Sequence, residues 1–169
     1  MITITEAQIR DIPPIRRVLA VTWRDTYRSF LSEESIEQVT ARWHSEEILQ
    51  NEIESSATYC GVAKTDQDEV VAMITAHEAG QILLVSRLYV LPAHQRRGIG
   101  SRLLRASYAK FSETTMARLH VEAQNPHGRA FYRKLGFLDV KRKSEDVFGT
   151  LLQSIVMECG IVRTKGEEQ

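Results

Sequence analysis

Gln95-Arg96-Arg97-Gly98-Ile99-Gly100-Ser101 gathers an amide side chain, two cations and two glycines into one short stretch. Those residue types suit an anion of the phosphate kind. A glycine lets such a ligand reach the backbone without a Cβ in the way. If the turn opens a helix, the first N–H groups lack intrahelical partners and the macrodipole makes that end electropositive. Helical spacing does follow, with Ile99, Leu103, Leu104, Tyr108 and Phe111 on one face. Leu88-Tyr89-Val90-Leu91 before Pro92 reads as the strand that leads in. The bland alternative is that the glycines only allow tight packing where the helix begins.

Three phosphate ligands compete for this turn. A nucleoside triphosphate loop needs GxxxxGK[ST], and no lysine followed by Ser or Thr is present in this turn. A dinucleotide site comes closer, with Glu122 near where a ribose-binding acid would fall. Its third glycine is missing, because Leu103 stands there, and the strands upstream read as a hairpin meander. The third ligand emerges from a second motif, below. Cys60 and Cys159 have neither CxxC nor Cys/His ligand spacing, so no metal site is expected.

Equal numbers of Lys+Arg and Asp+Glu, 22 each, leave no global field to recruit nucleic acid or an anionic membrane. A hydrophobic content of 43% with 26% charged residues is that of a soluble globular chain. No apolar run is long enough to span a bilayer, and the start Met1-Ile2-Thr3-Ile4 lacks the pattern of a secretory signal. Two cysteines without a signal point to a reducing, cytoplasmic setting. One domain over residues 1–162 is expected, with a flexible tail over 163–169.

The elements that must position these residues follow from periodicity. A strand near residues 2–8 precedes a helix N-capped by Asp11, with Pro13 and Pro14 in its first turn. Ile15, Val18, Leu19, Trp23, Tyr27 and Phe30 form that helix's apolar face. Ser32 caps a second helix that carries Ile36, Val39 and Trp43, and Ser45–Leu49 adds a helical turn or two. Ala57–Ala63, Val70–Ala76 and Ile82–Val90 read as a three-stranded meander. A helix from about Gly98 to Phe111, a strand over Arg118–Ala123 and a helix from Asn125 to Leu135 come next. Phe137–Lys143 and Thr150–Cys159 close the chain as strands. The order is that of an α+β, or mixed α/β, domain.

Gln95-x-x-Gly98-x-Gly100 after Leu-Tyr-Val-Leu-Pro resembles the acetyl-CoA-binding signature of the GNAT superfamily of N-acetyltransferases. Asn125-x-x-Gly128-x-x-Phe131-Tyr132-x-x-x-Gly136-Phe137 resembles its second signature, with Gly128 in place of the usual alanine. The resemblance implies a GNAT-like fold: a central, mostly antiparallel twisted sheet flanked by helices, with splayed strands forming a coenzyme A cleft. It implies that Leu88, Tyr89 and Val90 offer backbone groups to the pantetheine arm and that the Val90 amide faces the thioester carbonyl. It further implies that Gln95, Arg96, Arg97, Gly98, Ile99, Gly100 and Ser101 cradle the pyrophosphate and that Asn125 contacts the pantetheine or its surroundings. Tyr132 matches the general acid that protonates the departing thiolate. No metal is implied.

The implied activity is transfer of the acetyl group of acetyl-CoA to an amine, by direct attack in a ternary complex. The acceptor class stays open among polyamines, other small amines and peptide N-termini. Glu33, Glu34, Glu46 and Glu47 are candidates to attract a cationic amine, against a reading as solvated, dipole-compensating carboxylates. The general base is not named by the sequence. Glu78, Glu122, His77 and His120 are candidates, and a water chain to solvent is the default. A non-catalytic module that binds acetyl-CoA, and a transferase of a longer or charged acyl group, are the alternatives. The Thr150–Cys159 strand is a candidate exposed edge for a homodimer.

Overall fold

A computed structural model describes residues 1–163 of the chain. From residue 164 on, the expected C-terminal tail lies outside the described residues. Its first residue, Arg163, is anchored, donating to the carbonyls of Thr114 at 2.6 Å and Phe111 at 2.8 Å.

The element order is β1 (Ile2–Glu6), α1 (Ile12–Tyr27), α2 (Glu33–Arg42), α3 (Glu46–Glu54), β2 (Thr58–Thr65), β3 (Val70–Ala79), β4 (Ile82–Val90), α4 (Ile99–Lys110), β5 (Met116–Glu122), α5 (Pro126–Lys134), β6 (Leu138–Val147) and β7 (Thr150–Gly160). The strands form one seven-stranded sheet in the order β1-β2-β3-β4-β5-β7-β6. All neighbours run antiparallel except β4 and β5. This is the mixed, mostly antiparallel sheet with flanking helices that the sequence led us to expect. Ser32 and Ser45 cap α2 and α3 as read, accepting from Ser35 N at 3.1 Å and Ile48 N at 3.2 Å. Each such cap is worth about 1 kcal/mol.

Two expectations need correction. Asp11 precedes α1 but caps nothing there. Its carboxylate, buried, accepts instead from Gln8 N at 2.9 Å and from Lys64 Nζ at 2.7 Å, which ties α1 to β2. At this end of the sheet the edge strand is β6, not Thr150–Cys159. Strand β7 lies between β5 and β6, and only Val147 of β6 is buried. Runs of alternating character at the two strands left their order open, and β7 carries the apolar residues that suit an inner place: Leu152, Ile155, Val156 and Met157 are all buried.

The core sits on both faces of the sheet. Every residue from Val70 to Ala76 is buried, so both alternating sets of β3 are covered. Helix α1 packs on β3 and β4, α3 on β2, and α4 on β1 to β4. The feature that matters most for function is a break in this regularity. Parallel pairing of β4 with β5 runs from Ile82–Met116 to Val85–Leu119 and stops. At the next residue the register of β4 against β3 shifts, leaving Ser86 unpaired as a bulge between Val85 and Arg87. A bulge bends its strand and increases local twist. Ser86 Oγ donates to Thr75 O at 3.2 Å and holds the bend. Beyond it β4 remains on β3 and leaves β5, which opens a gap beside Leu88–Val90 and His120–Glu122.

Candidate active site

The gap exposes backbone in a set direction. Ala72 stands opposite Val90, and the N–H of Leu91 bonds to Val71 O at 2.9 Å. Backbone polarity alternates along a strand, so the N–H and C=O of Val90 point away from β3 and into the gap. The carbonyl accepts Gln95 Nε2 at 3.1 Å. Leu88, two residues earlier, has the same orientation. Tyr89 does not, and its side chain serves the other side of the gap, as described below.

Past Pro92 the chain turns into α4 through two left-handed residues, Arg96 (φ 60) and Gly98 (φ 74). Gly98 is the residue before the helix, and a Cβ built on it would meet nothing within 4 Å. Its glycine is therefore required by conformation, and the space above it is open. The N–H groups that follow, at Ile99, Gly100 and Ser101, are the unpartnered donors of a helix start. The next, Arg102 N, already bonds Gly98 O at 3.1 Å. Ser101 Oγ also donates to Gly98 O, at 3.0 Å, and steadies the turn. The side chain of Ile99 is buried in the core, so only its amide faces out. Arg96 and Arg97 are exposed, with Arg97 Nη1 3.3 Å from His94 Nδ1. An open space over free amides, flanked by two guanidinium groups, fits the pyrophosphate of coenzyme A.

Gly100 differs. A Cβ there would lie 3.0 Å from Phe131 Cζ, so this glycine makes room for a ring, not for a ligand. The packing reading holds at Gly100, whereas Gly98 leaves its space open. Phe131 thereby seats α5 against α4 and joins the two sequence motifs in space. Asn125 caps α5, its Oδ1 accepting from Gly128 N at 2.9 Å. A Cβ on Gly128 would stand 2.7 Å from Asn125 Nδ2 and 3.1 Å from Val121 Cγ2. This cap geometry is what calls for glycine where the signature has alanine.

Tyr132 follows on α5, its ring edge-on to Phe131 at 5.0 Å and to Phe137 at 5.5 Å. Burial, and secondarily the fields of Tyr89 and Tyr108, push its phenol well above the ordinary tyrosine range. It therefore stays protonated and able to donate.

On the other side of the gap lies a cavity of about 310 Å³. Trp23 and Tyr27 stack at 4.1 Å on one wall, Trp43 and the Val147–Leu152 end of the β6–β7 hairpin form others, and Tyr89 stands between. Tyr89 accepts from Trp23 Nε1 at 3.1 Å, so its side chain belongs to this wall rather than to the phosphate side. Three carboxylates reach the cavity: Glu52, Glu122 and Glu145. Glu52 is neutralised, since Arg87 Nη1 donates to both of its oxygens at 2.8 and 2.6 Å. Glu122 has no cation within ion-pair distance among the described residues, and is only 5% exposed. Burial raises its pKa, against the opposing effect of the Gln124 N–H, which donates to it at 3.2 Å. Two buried polar atoms of residues that line the cavity, His44 Nδ1 and Ser154 Oγ, have no partner among the described residues. Burial and then the charges of Arg87 and Arg16 push His44 down to about 3, so it is a neutral acceptor or donor here.

The candidates of sequence analysis divide accordingly. Glu122 and His120 line the cavity, whereas His77 and Glu78 pair with Leu84 and Leu83 near the opposite end of β4. Glu33, Glu34, Glu46 and Glu47 are exposed in the first turns of α2 and α3, where they complement the helix dipoles. Glu52, Arg87, Glu145, His44 and Ser154 were not singled out from sequence. They lie far apart in the chain and meet only when the β6–β7 hairpin folds beside α1 and α2. Among the described residues no three His, Cys, Asp or Glu side chains are grouped to hold a metal, and no helix is long and apolar enough to cross a membrane.

The chain was compared with known proteins. The model of the acetyltransferase (GNAT) family matches residues 18–137. A spermidine N(1)-acetyltransferase of Thermoplasma acidophilum is 29% identical over 154 residues, covering 88% of this chain and 92% of that protein. An aminoglycoside N(6')-acetyltransferase type 1 of Acinetobacter haemolyticus is 24% identical, over 82% of this chain and 90% of its own. Among solved structures, the PaiA N-acetyltransferase of T. acidophilum in complex with coenzyme A superposes with a TM-score of 0.80 at 28% identity, covering 95% of this chain and 99% of that one. The family match takes in both glycine-bearing motifs, the second with its Tyr132, and the bulged strand before them. On these grounds the chain belongs to the acetyltransferase (GNAT) family.

Proposed function

We propose that this acetyltransferase moves the acetyl group of acetyl-CoA onto a primary amine of a small, multiply cationic acceptor, of the polyamine kind, by direct attack in a ternary complex. What carries this reading is the two-sidedness of the gap: open amides at the start of α4 on one side, and on the other an aromatic cavity with a buried carboxylate, Glu122, that has no counter-ion among the described residues. Ammonium groups are attracted by aromatic faces and by buried carboxylates, and both are present at Trp23, Tyr27, Trp43 and Glu122. The relatives named for spermidine and aminoglycoside acetylation support the same class, since those molecules carry several amines.

Acetyl-CoA supplies the activated acyl group; the residues of the chain do the rest. Glu122 takes a proton from the incoming ammonium, because only the free amine is a nucleophile. The Val90 N–H meets the negative charge that develops on the carbonyl oxygen, and one such donor contributes roughly 10²–10³ in rate. As the C–N bond forms and the C–S bond breaks, the Tyr132 phenol gives its proton to the departing sulfur.

An amine panel read by release of free thiol tests the reading. Release is expected with spermidine and other di- and polyamines, and to a lesser degree with singly charged amines. Silence across polyamines, aminoglycosides, amino acids and peptide N-termini overturns it in favour of a binding module.

The base has its own test. Glu122 acts when ionised, and its pKa lies above the usual carboxylate range, so kcat/KM rises with pH through that raised value. Glu122→Gln is expected to lower kcat by roughly 10²-fold and to remove this acidic limb. Of the other groups at the cavity, His44 titrates near 3 and Glu52 is paired, which leaves His120 and Glu145 as competitors. If the limb survives in Glu122→Gln and disappears in His120→Gln, the proton goes to His120.

A further inference from the structure

We infer that strand β6 is a self-complementary dimerisation edge, and that two copies of this chain pair along it antiparallel about a two-fold axis at Ser144. The strand runs from Leu138 to Val147 with one edge bonded to β7 and no strand on the other among the described residues. Which backbone groups are free follows from the hairpin. Phe148 (φ 49) and Gly149 (φ 85) form a two-residue turn with both residues left-handed, which closes on Val147 and Thr150 as a hydrogen-bonded pair. Alternation then bonds Glu145 and Lys143 to Leu152 and Ser154 of β7, and turns the N–H and C=O groups of Asp146, Ser144 and Arg142 outward.

Charges along an edge strand ordinarily keep it unpaired. Here their order does the reverse. Regular antiparallel pairing must oppose outward residues to outward residues, so a two-fold axis must pass through a single residue of the strand. With the axis at Ser144, Arg142 of each copy faces Asp146 of the other, and Lys143 of each faces Glu145 of the other. Every charge in Arg142-Lys143-Ser144-Glu145-Asp146 then meets its opposite. Moving the axis to Arg142, Lys143, Glu145 or Asp146 sets that residue against its own copy, like charge on like. Only one register is matched. The unpaired bulge of β6 at Val140 lies outside these five residues. The hairpin also carries three exposed apolar side chains, Leu138 at 72%, Val140 at 52% and Leu151 at 64%.

This pairing bears on the site. Glu145 lines the acceptor cavity, opposite Leu152 on the same face of the sheet. Lys143 of the second copy would stand beside it, at a pair of the closer, non-hydrogen-bonded kind. Each copy thus contributes a side chain to the rim of the other's cavity, and the two cavities open on one face of a continuous sheet.

The full-length chain, studied by sedimentation velocity over a concentration series, tests the inference. The wild type is expected to dimerise, and more weakly in high salt. Lys143→Glu sets glutamates against glutamates, and Glu145→Lys sets lysines against lysines; each alone is expected to raise the dissociation constant at least about tenfold. Mixed one to one, the two variants are complementary and re-form a dimer of wild-type affinity. A variant that had merely misfolded would not recover on mixing. A wild type that stays monomeric throughout, variants that dimerise alone as well as it does, or a mixture that fails to pair would each overturn the proposal.

Discussion

Tyr132→Phe is expected to lower kcat for thiol release by roughly 10²- to 10³-fold while changing the affinity for coenzyme A by less than about threefold. The reasoning begins with position. Tyr132 is half-buried on α5, held edge-on between Phe131 and Phe137, and both contacts are to the ring and not to the hydroxyl. Phenylalanine keeps that ring and those contacts, so the cap at Asn125 and the seat of Phe131 on Gly100 are undisturbed. What is lost is one proton donor. Because burial keeps the phenol protonated across the accessible pH range, the loss is felt at every pH and not as a shifted limb. That distinguishes it from loss of a group such as Glu122, whose effect changes with pH. Two measurements check it: coenzyme A binding by calorimetry, and thiol release under saturating acetyl-CoA. A fall in affinity that matches the fall in kcat would make Tyr132 a packing residue. The acceptor's acidity offers a further reading, since a step limited by departure of the thiolate responds little to the amine's basicity.

The fold was legible wherever an element carries its own signal. Ser32 and Ser45 announce their helices by capping chemistry, and the short, β-branched apolar run Val70–Ala76 announces a strand. Order within the sheet is a different matter. Whether β6 or β7 lies at the edge depends on which of them meets β5, and no local pattern in Phe137–Cys159 contains that. Asp11 shows the same limit at a single residue. Asp before Pro13-Pro14 has the look of an N-cap, yet Lys64, 53 residues on, takes its carboxylate. A charge-assisted bond to a buried amine outcompetes an amide that water can reach.

The site divides along the same line. The segments proposed for the donor half are contiguous, from Leu88 to Ser101 and from Asn125 to Phe137, so their motifs are visible in the sequence. Even there, the sequence did not separate two glycines that act differently: Gly98 supplies a left-handed φ, Gly100 a place for a ring. The acceptor half is assembled from α1, α3, β4, β5 and the β6–β7 hairpin. Glu122 was visible as one acid among several, and its burial without a cation partner sets it apart. Glu52 and Glu145 look alike in sequence; the first is neutralised by Arg87 and the second is not. The bulge at Ser86, on which the whole cleft depends, gave no warning inside an otherwise apolar strand.

Gly98→Val is expected to weaken coenzyme A binding by at least about 10²-fold and to leave the chain folded, and the two halves of that statement rest on different observations. Folding is spared because nothing lies within 4 Å of the added Cβ and the residue is exposed. The penalty is conformational: a left-handed, non-glycine residue costs about 1–2 kcal/mol, more when β-branched. A domain of this size has of order 5–15 kcal/mol to lose. Binding is not spared, for two reasons. Relief of the strain rotates the peptide that aims the Ile99 and Gly100 amides, and the isopropyl group occupies the open space above them. Gly98→Asn separates these causes, since asparagine tolerates the left-handed region but still fills the space. If binding is lost in both variants, the space itself is the phosphate site. If asparagine restores it, the glycine acts through backbone geometry alone. Thermal unfolding of the ligand-free variants establishes that the fold persists, and calorimetric titration with coenzyme A reads the affinity. Affinity retained in the valine variant would remove this turn from the phosphate site altogether, and with it the assignment of the flanking Arg96 and Arg97.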